Sequence, residues 1–261
     1  MNTEFSKILA YAKSHWQSDT KWQVAEKDYS QILVRALADI TKGKTLSKKF
    51  VRIAGISGSG KTTQLLPAAT EYFKSHKLSP VVVAAREFVK YHPHYEEIKS
   101  LHGEAELRQA TDEFSTIMLF LVLSELTKQG YDIILDVALV DPSMEQILQQ
   151  MLNGYAYEQL LLMIAVSPEV ARKQLESRGW RHSSETEQEF IRATSAALEF
   201  YAGSFPNIPI IIWDTFSKSP VYDGKVKNAL PIFKKTSSIT DIPLHDEAVL
   251  KESKIAYLTM L

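Results

Sequence analysis

Residues 50–54 form the run Phe-Val-Arg-Ile-Ala, and the chain then passes through Gly55-Ile56-Ser57-Gly58-Ser59-Gly60-Lys61-Thr62 into helix-compatible sequence. Every fixed position of the pattern GxxxxGK[ST] is filled, and the strand–loop–helix setting gives the pattern its physical meaning. Glycines reach backbone angles closed to other residues, so successive N–H groups can converge on one anion. A helix that starts where the loop ends points its positive end at the same anion. Such a loop needs a strand to launch it and a helix to receive it, which points to an α/β fold. The ligand it implies is ATP or GTP with Mg²⁺. Gly55, Ser57, Gly58, Ser59, Gly60, Lys61, Thr62 and Thr63 line the phosphates, with Lys61 reaching the terminal ones and the Thr62 hydroxyl serving as a Mg²⁺ ligand. Pro67 lacks a backbone donor and is expected to bend the helix one turn past the loop.

Beyond the loop, short apolar runs alternate with longer helical stretches. The strand candidates are residues 50–54, 81–85, 131–136, 160–166 and 208–214, all rich in β-branched and apolar residues, as strands buried on both faces are. Leu107, Ala110, Phe114, Ile117 and Leu121 mark one helix between them. Residues 168–177 form another, with Ser167 as N-cap and Pro168 in the first helical position. This alternation predicts a P-loop fold, with a parallel sheet of about five strands and helices on both faces. Two helical patterns precede it, one through Phe5, Ile8, Leu9, Ala12 and Trp16, the other through Tyr29, Ile32, Leu33, Ala36, Leu37 and Ile40. The expected organisation is an N-terminal helical extension over 1–48 and a P-loop kinase-like domain over 49–261. After residue 219 the pattern loosens: Val-Tyr-Asp-Gly-Lys reads as a turn and residues 245–258 as a final helix.

Residues 131–136 run Tyr-Asp-Ile-Ile-Leu-Asp, a hydrophobic strand ending in Asp136, which would stand beside the loop at the carboxyl end of the sheet. There it can hold Mg²⁺ or take a proton. Val137 follows, so the paired acids of motor ATPases are absent, and no Asn-Lys-x-Asp guanine-reading motif occurs. Arg178 and Arg181 lie where small P-loop kinases carry a lid, and a permanent planar cation suits charge spread over phosphoryl oxygens. Gly179 between them would end the helix and let the lid move. The chain has no cysteine, which excludes disulfides, thiolate zinc sites and cysteine nucleophiles. Its formal net charge of -1 argues against a dedicated nucleic-acid binder. No apolar stretch is long enough to span a bilayer, and the N-terminus lacks the pattern of a signal peptide. A cytoplasmic protein with no membrane partner is the expectation.

The stretches Gly-Ile-Ser-Gly-Ser-Gly-Lys-Thr-Thr (55–63), Arg-Glu-Phe-Val-Lys-Tyr-His-Pro-His-Tyr-Glu-Glu (86–97), Gly-Tyr-Asp-Ile-Ile-Leu-Asp (130–136) and Ala-Val-Ser-Pro-Glu-Val-Ala-Arg-Lys-Gln-Leu-Glu-Ser-Arg (165–178) come in an order and spacing that resembles the zeta toxins, kinases of UDP-N-acetylglucosamine. The resemblance covers residues 50–214, and its most specific part is the His-Pro-x-Tyr segment followed by a long helix. It implies transfer of phosphate from a nucleoside triphosphate to a hydroxyl of a small-molecule acceptor, and an inhibitory antitoxin protein as partner.

Departures from the family pattern fall on the acceptor side. The family's base, an aspartate six residues before the His-Pro histidine, is replaced by Arg86, which cannot accept a proton at neutral pH. After the third strand the family carries an acid, a threonine and an arginine at alternate positions; here these are Asp136, Ala138 and Val140. A glutamate usual in the long helix aligns with Phe120. Arg86, Glu87 and Asp136 are therefore the acceptor-side candidates. Arg86 either recognises an anionic acceptor or is a surface or ion-paired residue. Three readings stay open: a kinase of another acceptor with Asp136 or Glu87 as base, a slow kinase of the UDP-sugar, or a pseudokinase that binds nucleotide. His92 and His94 lack an evident third metal ligand and read as structural. Trp16, Trp22, Trp180 and Trp213 read as packing residues, although Trp180 lies between the lid arginines.

Overall fold

The structure is a computed structural model. It describes residues 20–139, 142–177, 184–240 and 247–260, together with Ser6, Ile8, Ala10 and Ala12. In chain order its main elements are α1 (Tyr29–Thr41), β1 (Lys49–Ala54), a π turn (Lys61–Leu65) running into α2 (Leu66–Ser75), β2 (Val81–Val83), 3-10 turns at Ala85–Glu87 and Val89–Tyr91, α3 (Tyr95–Gln129), β3 (Ile133–Asp136), α4 (Pro142–Gly154), β4 (Glu158–Ala165), α5 (Pro168–Glu176), α6 (Ser184–Ser204), β5 (Pro209–Asp214), β6 (Tyr222–Lys225), α7 (Ala229–Thr236) and α8 (Glu247–Thr259). They form two compact units, Met1–Leu46 with Val81–Tyr131, and Ser47–Pro80 with Asp132–Leu261.

The larger unit holds strands in the order β3-β1-β4-β5-β6. β1 runs parallel to β3 and β4, and β4 runs parallel to β5. Leu161, Met163 and Ala165 of β4, with Ile210 and Ile212 of β5, pack against Ala197, Leu198 and Tyr201 of α6 and against Ala229 and Phe233 of α7. Leu162 and Ile164 point the other way and are equally buried. Both faces are thus covered, which is why these strands read as continuous apolar runs rather than alternating ones. α2 and α8 lie against each other, and α2 also meets β3.

One strand was not expected. Residues 222–225 pair antiparallel with β5, Ile212 opposite Tyr222 and Ile210 opposite Gly224, where the sequence reads as a turn. The strand is short, contains a glycine and alternates half-buried with exposed positions. Such an edge strand gains its order from its neighbour, not from local propensity.

In the smaller unit α1 packs on α3, with Tyr29 stacked on Phe114 at 5.7 Å between ring centroids. Trp22, Ile98 and Leu107 form a buried cluster, and Trp213 in the larger unit is wholly buried, so both tryptophans pack as expected. α3 is broken at Gly103, whose φ of 75° and ψ of -176° are not helical; a residue with a Cβ resists that angle. α3 then ends at Gly130 in the left-handed region.

Candidate phosphate-binding site

β1 delivers the chain into a loop whose glycines are required by contact as well as by angle. Gly55 and Gly58 have φ of 148° and 80°. A Cβ on Gly58 would stand 2.5 Å from the Ala171 carbonyl oxygen and 2.8 Å from Leu175 Cγ, both on α5. The loop therefore lies tight against the middle and end of α5. The Ser59 N–H donates to the Ile56 carbonyl at 3.2 Å and closes the turn. The Thr215 hydroxyl donates to the Ser59 carbonyl at 3.3 Å and ties the loop to the end of β5. Lys61 arches back over the loop, its ammonium donating to the carbonyls of Gly55 at 2.7 Å and Ile56 at 3.0 Å. The positive charge is thereby held at the mouth of the cradle.

The helix behind the loop opens with the π turn, in which the Leu66 N–H bonds to the Lys61 carbonyl. Pro67 follows in the first turn of α2. A proline ring crowds the carbonyl four residues back and offers no donor to it. A wider turn relieves that crowding, so the expected irregularity takes the form of a π turn at the loop itself.

Asp136 is the last residue of β3, paired in register with Ile53, and is 5% exposed. The Thr62 hydroxyl lies 3.4 Å from Asp136 Oδ2. A hydroxyl and a carboxylate converging next to the loop are hard oxygen donors, the set that suits Mg²⁺. The structure thus brings Lys61, Thr62 and Asp136 together, while Ser57 and Thr62 face solvent and Ser59 is buried. The Thr63 hydroxyl turns back to the Gly60 carbonyl at 3.4 Å.

Arg86 and Glu87 belong to the smaller unit, in the Ala85–Glu87 turn. Their side chains are 42% and 55% exposed, with Arg86 Nε 3.6 Å from Glu87 Oε1. His92 is spent on structure: its Nδ1 accepts from the His94 N–H at 3.1 Å and its Nε2 lies 3.0 Å from the Trp22 carbonyl. The neutral ring with its proton on Nε2 satisfies both contacts, and burial pushes its pKa down to about 4. Among the described residues no cluster of three or more metal-ligating side chains occurs. Arg178, Gly179, Trp180, Arg181 and Val140 lie outside the described residues, as do Phe5, Leu9 and Trp16 of the first helical pattern.

Arg52 was not singled out from the sequence. It is 5% exposed on β1, paired with Glu145 through Nη1 and donating from Nη2 to the Ala138 carbonyl at 2.8 Å. The available signal was a lone arginine inside an otherwise apolar strand. Nothing local showed its partners, which lie 86 and 93 residues away.

With this geometry in hand, comparison with known proteins gives three findings. The model of the family described as "Zeta toxin" matches residues 36–225. Toxin PezT of Streptococcus pneumoniae serotype 4 (strain ATCC BAA-334 / TIGR4) is 27% identical over 148 residues, 56% of this chain and 56% of that protein. The match thus spans little more than half of that relative's length. A solved structure from the PezAT chromosomal toxin-antitoxin system of the human pathogen Streptococcus pneumoniae is similar with a TM-score of 0.69 and 21% identity, over 92% of this chain and 99% of that one. At that identity the likeness shows a common fold. Among the described residues no helix is long and apolar enough to cross a membrane. Since the family model covers well over half of the chain, the protein belongs to the zeta toxin family.

Proposed function

We propose that the protein is a phosphotransferase that moves the terminal phosphoryl group of ATP or GTP to a hydroxyl of a small-molecule acceptor in the cytoplasm. The observation that carries this reading is the convergence of Lys61, Thr62 and Asp136 on a glycine loop closed against α5. The loop amides and Lys61 hold the triphosphate, and Thr62 and Asp136 would hold Mg²⁺, which neutralises phosphate charge when bound. In the transfer the acceptor oxygen bonds to the terminal phosphorus. The bond from that phosphorus to the bridging oxygen breaks, and the nucleoside diphosphate leaves with its electron pair. The acceptor proton passes to Glu87, or to Asp136 where that carboxylate holds the metal through water. Arg178 and Arg181 clamp the transferred group. Arg86 is the candidate for acceptor recognition, and a planar cation favours an anionic acceptor.

UDP-N-acetylglucosamine is the first acceptor to test, because the family resemblance names it and its diphosphate is anionic. An antitoxin protein is the proposed macromolecular partner, supported by the toxin-antitoxin system to which the similar solved structure belongs. A second reading, a nucleotide-binding pseudokinase, draws on one specific observation: an arginine stands where the family places its base. The test is incubation of wild type and Lys61→Ala with Mg²⁺, ATP and a metabolite extract spiked with UDP-N-acetylglucosamine, followed by mass spectrometry. A metabolite that gains one phosphate only with wild type supports the kinase. Tight nucleotide binding with no phosphorylated product favours the pseudokinase.

A further inference from the structure

The segment after β3 has lost the polar side chains the family pattern leads one to expect, yet its backbone is held at successive residues. Arg52 Nη2 donates to the Ala138 carbonyl at 2.8 Å, and the Thr194 hydroxyl donates to the Leu139 carbonyl at 3.2 Å. Leu139 itself is wholly buried in the core between the sheet and α6. The Arg52 end of this arrangement is the more elaborate. Its partner Glu145, 1% exposed on α4, also accepts from the Tyr201 hydroxyl at 2.8 Å. Tyr201 in turn accepts from Gln149 Nε2 at 3.2 Å, and Gln149 also donates to Gln159 at 2.8 Å. Burial works against the Arg52 charge, and Glu145 and Tyr201 outweigh it, so the guanidinium is held above its usual pKa.

A buried ion pair is a poor device for stability alone, since an apolar pair of similar volume often serves as well or better. What an apolar pair cannot do is direct a donor at one chosen carbonyl. The planar fork of an arginine can, because one arm engages the carboxylate while the other points elsewhere. The carbonyl so chosen lies two residues past Asp136, the strand-end acid that meets Thr62.

We propose that Arg52, set by Glu145 and Tyr201, is a positioning residue that pins the backbone after β3 and so fixes the Asp136 carboxylate towards Thr62. The consequence for metal and nucleotide rests on the phosphotransferase reading; the pin itself does not. Two variants test it. Arg52→Met with Glu145→Leu removes both charges together, so no buried charge is left alone. Arg52→Lys keeps the charge opposite Glu145 but lacks the second arm, and it remains informative if the double variant fails to fold.

The first readout is amide hydrogen exchange in the nucleotide-free protein. Amides 137–139 should exchange about tenfold faster in either folded variant, while those of residues 55–63 stay as in wild type. Unchanged exchange at 137–139 in a folded variant overturns the pin. The second readout is ATP affinity with Mg²⁺ and with EDTA. The variants should keep the EDTA affinity and lose about 10- to 100-fold of Mg²⁺ affinity, the usual cost of removing a residue behind a metal ligand. A loosened segment with wild-type Mg²⁺ dependence overturns the claim on Asp136. If wild type itself binds no ATP, the phosphotransferase reading fails, and the exchange data still decide the pin.

Discussion

The phosphate loop of the larger unit and the Ala85–Glu87 turn of the smaller one are both short connections that follow a strand, and they are built by opposite means. The loop is specified by backbone. Gly58 sits where a Cβ would strike α5 and Gly55 where one would strike the Ile164 carbonyl, the loop carbonyls receive Lys61 and Thr215, and its end is wound into a π turn ahead of Pro67. The Ala85–Glu87 turn is held by its own backbone bonds and by packing on α3, and its two charged side chains stand half-exposed. A site made of main-chain groups tolerates few substitutions. A site made of exposed side chains can change its chemistry without disturbing the fold. That contrast would account for a family member whose phosphate motif is complete while its proposed acceptor positions depart from the family pattern.

The widest gap between the two regions should appear on removing Lys61. Lys61→Ala is expected to lower phosphoryl transfer by about 10²–10³-fold or more, the scale of losing one preorganised charge at a transition state, as measured by single-turnover kinetics. On the acceptor side, Arg86→Asp restores a carboxylate where the family has its base. Transfer to UDP-N-acetylglucosamine should rise about 10²-fold, the lower range for a general base. The same variant should change stability by less than about 0.5 kcal/mol, as for a largely exposed side chain. A large stability loss would mean that the turn is no freer than the loop.

Gly58→Ala probes the loop by shape alone. The added methyl meets the Ala171 carbonyl, so denaturant unfolding should show a loss of about 1–3 kcal/mol. The smallest effect concerns pH. His92 is held neutral, its pKa pushed from 6.5 to about 4 by burial. Between those values the unfolded chain takes up a proton that the folded chain refuses, so stability falls as pH drops from about 6.5 to about 4. Protonating Nδ1 would also set a donor against the His94 N–H. His92→Gln should flatten that part of the stability profile at some cost in stability at pH 7, read from melting temperatures across the range.

The parts of this molecule that local sequence specifies were legible beforehand. The octapeptide pattern located the cradle, the β-branched runs located the strands of the sheet, and Ser167–Pro168 located the start of α5, where the Ser167 hydroxyl accepts from the Val170 N–H. What was not legible depends on residues far apart in the chain. β6 exists because β5 offers an edge, not because Tyr-Asp-Gly-Lys favours a strand. The Arg52–Glu145–Tyr201 chain joins three elements at long separation, and a single arginine in an apolar strand does not name its partners. Pro67 announced an irregularity but not its form, a π turn ahead of the proline rather than a bend beyond it.

The division of labour between loop and turn is tested most directly by titrating Mg²⁺ and ATP into wild type, Lys61→Ala and Arg86→Asp and measuring affinity by calorimetry. The expected result is tight binding by wild type, unchanged binding by Arg86→Asp, and at least about tenfold weaker binding by Lys61→Ala, the order of one lost charge-assisted contact. Wild-type affinity in Lys61→Ala, or a comparable loss in Arg86→Asp, would contradict it.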